Sequence, residues 1–408
     1  MPSEETSLQL CCTHWTRGGP GNYGLASLMM NERESRDFAQ ELVLIMNDST
    51  VEPVVIDPQL YPYEARIGVG CVLIVASIIG LVGNSLVIWS VILSKKLRTV
   101  TNAFVVNLSV ADFWTSLSLP WICVALVSHE SWPMESELSC IIAAIQLYTG
   151  LGASIYSLAT IAMNRMVLIT QSTNTYRVWY TPRKVAVMIA MTWVIPCIVT
   201  FLPPILGIGS IGYDRQDNTC SDKDGHPRGA EYNLAQFLGL YPVPMLIIIC
   251  CYTALYIHLK QHFRKQMGRS FKNNQSISPA AGLDGENSTV STIATGESSA
   301  NNAEHVSKKA WQAINRQQLA ITKNLFLVFC VFALLLSPYF ISLAIPSGRK
   351  FALYGVTITI INGCVNPIIY AVNHPQFKVV MREIVTCRYS EIQEPSDLLK
   401  FLLSLRNN

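Results

Sequence analysis

Residues 67–93 read IGVGCVLIVASIIGLVGNSLVIWSVIL and contain no Asp, Glu, Lys or Arg. A helix of about 20 apolar residues is long enough to cross the hydrocarbon core of a bilayer. Six more apolar stretches of helix length follow, at residues 103–127, 141–163, 185–206, 232–257, 324–345 and 351–372. The alternating pattern of a membrane β-barrel is absent. The sequence therefore predicts an all-α membrane protein, built as a seven-transmembrane helix bundle.

The composition of the 408-residue chain supports a membrane location. Half of the residues are hydrophobic and only 14% are charged, whereas about 25% are charged in a typical soluble domain. The net charge of +3 is too small to indicate nucleic acid as a partner. Twelve cysteines in this length are too sparse for a small disulfide scaffold. Soluble, nucleic-acid-binding and disulfide-scaffold classes are therefore excluded.

Lys and Arg near the ends of the apolar stretches predict the orientation of the bundle. Lys95, Lys96 and Arg98 follow the first stretch, whereas the loop after the second stretch has no Lys or Arg. Basic residues concentrate on the cytoplasmic side of membrane proteins. The N-terminus is therefore expected outside the cell, in a multi-pass protein of the plasma membrane. The predicted regions are an irregular extracellular tail (residues 1–64), the seven-helix domain (65–372) and a cytoplasmic end segment (373–408). An irregular cytoplasmic loop (270–307) lies within the seven-helix domain.

Asp112 is the one charged residue inside the seven apolar stretches. A carboxylate at this depth costs at least about 2.5 kcal/mol, so it indicates a functional site. Polar residues at a similar depth contain oxygen but carry no positive charge: Asn84, Ser154, Asn362 and Asn366. Two interpretations remain open: a site for a small hydrated cation, namely sodium, or a protonated Asp112 in a structural hydrogen-bond network.

Cysteines and one sequon indicate covalent modifications. Cys140 and Cys220 both fall on the predicted outer side, where disulfides persist; the alternative is two free thiols. Asn47 begins an N-x-Ser sequon on the same side and is a candidate for glycosylation. Cys387 follows an amphipathic segment after the seventh stretch and is a candidate for palmitoylation.

No arrangement of residues indicates catalysis. The glycines at 207, 209 and 212 match a dinucleotide fingerprint, but they follow a membrane helix and open no βαβ unit. The apolar stretches contain no Ser/His/Asp or Cys/His set, no phosphate-binding loop and no paired carboxylates. We therefore predict that the protein is not an enzyme and needs no cofactor beyond the possible sodium ion.

Several short motifs, in a fixed order, resemble those of the rhodopsin-like G-protein-coupled receptors over roughly residues 60–390. Gly83-Asn84 is similar to the signature of the family's first helix, and Leu108 to Asp112 is similar to that of the second. Cys140 precedes Arg165 by the family's spacing of 25 residues. Residues 366–370 read NPIIY, a full NPxxY motif, and a segment like the family's amphipathic eighth helix follows.

Two positions depart from the family pattern. Asn164-Arg165-Met166 stands where the family usually has Asp-Arg-Tyr, and Leu336 stands where a tryptophan is usual. The Asn-Arg variant resembles the melatonin-receptor and Moody-like branch.

The resemblance implies a receptor that binds an extracellular ligand and activates heterotrimeric G proteins. Leu147 stands where amine receptors carry Asp, which disfavours a biogenic amine as the ligand. Ile360 stands where opsins carry the retinal lysine, so the resemblance implies that the chain is not a photopigment. An uncharged ligand site is implied, suited to a neutral small molecule or lipid: Gln146, Leu147, Tyr148, Leu151, Gln236, Phe237, Tyr339, Phe340, Val356 and Thr357. The implied switch residues are Asn164, Arg165, Tyr252, Asn366, Pro367 and Tyr370.

The resemblance also implies arrestin, receptor kinases and the lipid bilayer as partners. Two alternative functions remain open at this stage. One is a protein of receptor fold that signals or works as a scaffold without G proteins. The departures from the family pattern at Asn164 and Leu336 support this alternative. The other is a seven-helix transporter, which the single membrane charge and the lack of internal repeats disfavour.

Overall fold

The computed structural model describes residues 60–129, 131–223, 225–275, 326–339 and 350–407. Asn47 and Phe340 lie outside these residues, as does the part of the predicted loop after residue 275. Six described helices are long and apolar enough to cross a membrane, and Phe326–Tyr339 is a shorter apolar helix within the sixth predicted stretch. The predicted seven-helix bundle is confirmed.

The first four long helices account for the first four apolar stretches. Helix α1 spans Tyr63–Leu93, α2 spans Val100–Val127, α3 spans Leu138–Thr170 and α5 spans Pro182–Ile205. A short helix, α4, occupies Thr173–Trp179 between α3 and α5. Helix α3 is the most buried of the candidate spans, so it forms the centre of the bundle.

The remaining spans contain proline-related breaks. Helices α6 (Gly229–Leu240) and α7 (Pro242–Gln275) make up the fifth stretch, and the chain breaks between them because Pro242 lacks a backbone N–H. Helix α7 continues to Gln275, beyond residue 270, where the predicted irregular loop begins. Helix α8 is Phe326–Tyr339, and α9 is Ala352–Asn373 with Pro367 inside it.

A two-stranded antiparallel hairpin joins α5 to α6, an element that the sequence does not predict. Strand β1 (Ile211–Asp214) pairs with β2 (Thr219–Asp222), so that Tyr213 lies opposite Cys220. We call the end of the bundle that carries this hairpin the hairpin end, and the opposite end, where Arg165 lies near the end of α3, the arginine end.

Close approach of the helices depends on small residues at specific positions. A Cβ atom on Gly83 of α1 would come within 2.9 Å of Pro367 on α9. A Cβ atom on Gly152 of α3 would meet Pro196 of α5 at 2.7 Å. The absence of a side chain at these two glycines lets Pro367 and Pro196 pack directly against the neighbouring helices, as dense interior packing requires.

Two further helices follow the bundle. Helix α10 (Pro375–Val385) is the short amphipathic eighth helix predicted from the sequence, and it buries Phe377, Val380 and Met381. A one-turn 3-10 helix at Tyr389–Glu391 leads to helix α11 (Asp397–Asn407). The sequence predicts only an end segment for these last residues.

Candidate functional site

A cavity of about 390 Å³ lies between the helices at the hairpin end. Small-molecule sites occupy roughly 300–1,000 Å³, so this volume fits a ligand site. Most residues of the predicted ligand site line it: Leu147, Tyr148, Leu151, Gln236, Phe237, Tyr339, Val356 and Thr357. Gln146 does not line it, because one residue along α3 turns a side chain about 100° away from Leu147.

The floor of the cavity is formed by α8. Phe332 and Leu336 line the cavity and are buried, with exposed fractions of 1% and 5%. Ile360 of α9 also lines the wall. Leu336, the residue in the usual tryptophan position, therefore lies where a bound molecule would contact α8 directly.

The hairpin closes the cavity and adds two carboxylates to its wall. Asp217 and Asp222 both line the cavity, and no Lys, Arg or His does so in the described part of the chain. The Tyr148 hydroxyl donates to Asp222 Oδ1 at 2.7 Å and accepts from the Asp222 backbone N–H at 3.1 Å. The ammonium of the next residue, Lys223, is paired with Glu137 at 2.5 Å. The uncharged wall expected from the helix positions is therefore incomplete, since the hairpin makes this end of the cavity acidic.

A disulfide fixes the hairpin over the cavity. Cys140 at the start of α3 is bonded to Cys220 in β2, with the two Cα atoms 5.1 Å apart. Both cysteines are fully buried. The predicted pairing is confirmed.

A polar cluster surrounds Asp112 below the cavity. Ser154 Oγ of α3 donates to Asp112 Oδ1 at 2.6 Å, and Asn366 Nδ2 of α9 donates to Oδ2 at 2.7 Å. Asn84 of α1 instead donates to the backbone carbonyls of Gly80 and Gly363 at 2.9 and 3.0 Å. Two of the four predicted partners thus bond Asp112 directly.

The donor set of this cluster fits a small hard cation. The side-chain carbonyl oxygens of Asn84, Asn362 and Asn366 are buried and lack hydrogen-bond partners within the described residues. Carboxylate and amide oxygens are the ligands that hard cations prefer. A sodium ion held by Asp112, Ser154 and these amide oxygens would supply the positive charge that the cluster lacks. Sodium binding stays a prediction.

Comparison with known proteins identifies the family. The family model "7 transmembrane receptor (rhodopsin family)" matches residues 83–370. The chain belongs to this family. The receptor is 27% identical over 349 residues to the "G-protein coupled receptor moody" of Drosophila melanogaster. The aligned region covers 78% of this chain and 51% of that protein.

Other similarities agree with this assignment. The "Melatonin receptor type 1B" of Mus musculus is 31% identical over 198 residues, covering 48% of the receptor and 52% of that protein. The crystal structure of squid rhodopsin shares the fold, with a TM-score of 0.63 at 21% identity, over 83% of this chain and 90% of that one. The predicted resemblance to Moody-like and melatonin receptors is confirmed. The receptor spans about half the length of the curated relatives it matches.

At the arginine end of the receptor, Asn164 links three helices. Its side-chain oxygen accepts from Thr101 Oγ1 of α2 at 2.7 Å, and its Nδ2 donates to the Tyr176 hydroxyl of α4 at 3.0 Å. Asn164 is fully buried, and Arg165 beside it is 2% exposed. Both side chains are therefore buried near the end of α3.

The other predicted switch residues lie on α7 and α9. The Tyr252 ring of α7 packs against Phe326 and Phe329 of α8, with ring centroids 5.0 and 5.5 Å apart. Tyr370 of α9 is fully buried and stacks on Phe377 of α10 at 5.8 Å. Its hydroxyl has no hydrogen-bond partner in the part of the chain that the structure describes. The α9 tyrosine thus has an unsatisfied polar group at the arginine end.

Two supporting residues were missed by reasoning from the sequence. Arg66 of α1 is buried and donates from Nη1 to the carbonyls of Leu126 and Ser128 at 3.1 and 2.8 Å, which caps the end of α2. His374 accepts at Nδ1 from the backbone N–H groups of Gln376 and Phe377, which caps the start of α10. For His374, the signal was present: it immediately precedes a proline at the first helical position.

Proposed function

We propose that the chain is a plasma-membrane receptor, with its N-terminus outside the cell, that binds a small molecule in the cavity and activates heterotrimeric G proteins. Family membership supports the signalling class. The cavity, its disulfide-bound hairpin and the buried Asn164-Arg165 pair at the other end support a receptor that couples the two ends of the bundle.

The observation that carries this proposal is the position of α8. Phe332 and Leu336 of this helix form the cavity floor. One to two turns away, Phe326 and Phe329 of the same helix pack against Tyr252 at the arginine end. A ligand that contacts Leu336 therefore contacts α8, the helix whose other end packs against Tyr252 of α7. By binding one arrangement of α8 better than the other, the ligand shifts a pre-existing equilibrium toward the active state.

The cavity wall narrows the chemistry of the ligand. Most of the wall is apolar or aromatic, which favours an apolar body. The Asp222 carboxylate, oriented by the Tyr148 hydroxyl, favours a hydrogen-bond donor or a positive charge at the hairpin end. An anion would be repelled by Asp217 and Asp222. We therefore propose a neutral or cationic ligand with an apolar body and a donor group, and not an anion.

Further partners follow from family membership. Arrestin and receptor kinases are proposed to act at the arginine end. Cys387 is exposed just after α10, where a thiol is accessible for palmitoylation, and Asn47 is proposed as a glycosylation site on the outer tail.

Nucleotide exchange on purified heterotrimeric G proteins, added to membranes that contain the full chain, tests the signalling proposal. Exchange is expected above that of receptor-free membranes, and Arg165→Ala is expected to return it to the receptor-free level. Arg228→Ala is the matched control, because Arg228 lies at the hairpin end in an exposed ion pair with Glu231. Exchange at the receptor-free level for the unaltered chain with every G-protein family would instead favour a scaffold that works without G proteins.

Three indoles that differ in charge test the ligand chemistry: tryptamine, N-acetyltryptamine and indole-3-acetate. We expect tryptamine to raise the melting temperature of the purified receptor most and indole-3-acetate not at all. The tryptamine effect should be lost in Asp222→Asn and weakened in Tyr148→Phe, whereas Gln146→Ala, two residues from Tyr148 and outside the cavity wall, should keep it. Equal stabilisation by indole-3-acetate, or no stabilisation by any of the three compounds, would contradict the proposal that Asp222 binds a donor group of the ligand.

A further inference from the structure

The end of the chain is attached to the first loop of the bundle. The Lys95 backbone N–H donates to the Glu394 carbonyl at 2.8 Å, and the Ser396 N–H donates to the Leu93 carbonyl at 2.8 Å. Ser94 Oγ donates to the Gln393 carbonyl at 2.9 Å. We call this contact between residues 93–96 and 393–397 the tail clasp. Ser94 and Pro395 form an antiparallel bridge, and backbone hydrogen bonds of this kind fix the position of one segment relative to the other.

The tail clasp places α11 at the boundary of the apolar layer. Leu93 is the last residue of α1, and α1 is one of the candidate membrane spans. Trp89, one turn earlier, is 49% exposed, and exposed tryptophans concentrate where membrane meets water. Since Ser396 bonds to Leu93, α11 begins at the level at which α1 leaves the membrane.

Helix α11 has three distinct faces. Leu399 is 2% exposed and, with Leu403, packs against the core at the arginine end. Lys400 and Ser404 form an exposed polar edge. A third face is apolar and exposed, with exposed fractions between 44% and 59%, and consists of Leu398, Phe401, Leu402 and Leu405. These four follow the i, i+3, i+4, i+7 spacing of one helical stripe, which we call the α11 stripe.

The charge around the α11 stripe suits an anionic surface. Across residues 94–99 and 374–405, Lys and Arg outnumber Asp and Glu by seven to four. Two of the acids are paired within this region, Asp397 with Lys95 at 2.6 Å and Glu391 with Arg388 at 3.8 Å. The exposed basic residues Lys96 and Arg98 of the first loop are therefore not taken up by these two pairs. An apolar stripe flanked by basic residues is the pattern of a helix that lies in a membrane interface.

We propose that α11 lies along the inner surface of the membrane, with the α11 stripe in the apolar boundary and Lys96 and Arg98 of the first loop on anionic lipid headgroups. The tail clasp places α11 at the level at which α1 ends, and the exposed apolar stripe gives the helix a face for the membrane. The inference rests on the proposed orientation of the receptor, with the arginine end in the cytoplasm. It gives the receptor an interfacial helix after α10 that is attached to the first loop of the bundle.

Spin labels on opposite sides of α11 test this arrangement in the full-length receptor. The cysteines that are not buried in the structure, together with the two of the N-terminal tail, are replaced by Ser: Cys71, Cys197, Cys250, Cys330 and Cys387, and Cys11 and Cys12. One label is then introduced by Leu402→Cys or, as the matched control, by Lys400→Cys. In nanodiscs of phosphatidylcholine with 25% phosphatidylserine, the label at 402 should be more accessible to oxygen than to a water-soluble nickel chelate. The label at 400 should show the reverse.

Nanodiscs without phosphatidylserine should reduce the difference between the two labels, because the basic residues lose their anionic partners. Both labels accessible to the nickel chelate would show that α11 lies in water and would overturn the proposal. If neither label is accessible to oxygen or to the nickel chelate, protein covers the helix, and this result would also overturn the proposal. Melting curves of the labelled receptors check that each is folded. No G protein enters this measurement, so its outcome is independent of the nucleotide-exchange test.

Discussion

Asn366 donates a hydrogen bond to Asp112 across 2.7 Å, although 254 residues separate the two along the chain. The bond ties α9 to α2 at the residue that precedes Pro367. Pro367 in turn packs against Gly83 of α1, so three helices meet around one carboxylate. A change in the charge or ligation of Asp112 therefore acts directly on the NPxxY segment, whose tyrosine lies at the arginine end.

The polar cluster predicts a specific response to sodium. Sodium should raise the melting temperature of the purified receptor relative to equal concentrations of N-methylglucamine, because the cation would satisfy the Asp112 carboxylate and the buried amide oxygens. Asp112→Asn should abolish the effect, since it removes the only formal negative charge of the cluster.

Ser118→Ala is the matched control for Asp112→Asn. Ser118 lies on the same helix, is fully buried and donates to the Thr115 carbonyl within α2. It should leave the sodium response intact. A melting temperature equally sensitive to sodium in Asp112→Asn and in the unaltered receptor would refute the site and leave the structural hydrogen-bond network as the explanation.

The disulfide should be seen in a double-mutant cycle. Cys140→Ala and Cys220→Ala should each reduce the amount of receptor at the cell surface, because each releases the hairpin from α3. The double variant should be no worse than either single one, since both changes remove the same bond. Losses that add in the double variant would show that the two cysteines act separately. Cys123→Ala, a buried free cysteine at a similar level, is the control.

The His374 cap should make stability depend on pH. Burial, together with the positive charge of Arg165, lowers the pKa of His374 from 6.5 to about 4. The unfolded chain takes up this proton near pH 6.5, but the folded receptor resists it until about pH 4. The contribution is therefore complete above pH 6.5 and is lost as the pH falls through this window, by about 2 kcal/mol at pH 5.

His374→Asn separates this effect from other titrations. Asn is a good N-cap residue and does not titrate, so the variant should keep α10 and lose the His374 part of the pH dependence. Melting temperatures of both proteins between pH 7 and pH 5 give the measurement. Parallel curves for the two would contradict a neutral, buried His374 as the origin of the loss.

The sequence was sufficient for the spans, the disulfide and most of the cavity wall, because apolar length and motif order determine them. It was insufficient at the ends of the helices. The first predicted span starts at residue 67, yet α1 begins at Tyr63 and includes Arg66. A charge normally ends an apolar stretch, but the Arg66 guanidinium is satisfied by two carbonyls at the end of α2, and that contact is visible only in three dimensions.

The hairpin and the tail were missed for a related reason. Strands of four residues among mixed charges have no pattern that distinguishes them from a loop, so the acidic side of the cavity could not be inferred from the helices alone. The tail clasp depends on two backbone hydrogen bonds, Lys95 N–H to the Glu394 carbonyl and Ser396 N–H to the Leu93 carbonyl, between segments far apart along the chain. Backbone groups are the same in every residue, so no side-chain pattern indicates such a pairing.

The receptor should signal without ligand, and Asn164 is the reason. The family usually has Asp at this position, and an aspartate would restrain the neighbouring arginine through its charge. A hydrogen bond from a neutral group is worth about 1 kcal/mol net, against roughly 1.5–3 kcal/mol for a charged partner. The weaker restraint should raise the active fraction about tenfold for each 1.4 kcal/mol lost, while that fraction stays small. Basal nucleotide exchange in receptor-containing membranes measures it.

Asn164→Asp should lower this basal exchange. The carboxylate fits the site, because Thr101 already donates to the Asn164 side-chain oxygen and the Tyr176 hydroxyl is able to donate in place of accepting. The added charge then stabilises Arg165 in its buried resting position. Thr101→Val is the matched control: it removes the hydrogen bond to Asn164 without adding charge, so it should not lower basal exchange. If the unaltered receptor is silent, and Asn164→Asp leaves both basal and stimulated exchange unchanged, this role of Asn164 is wrong.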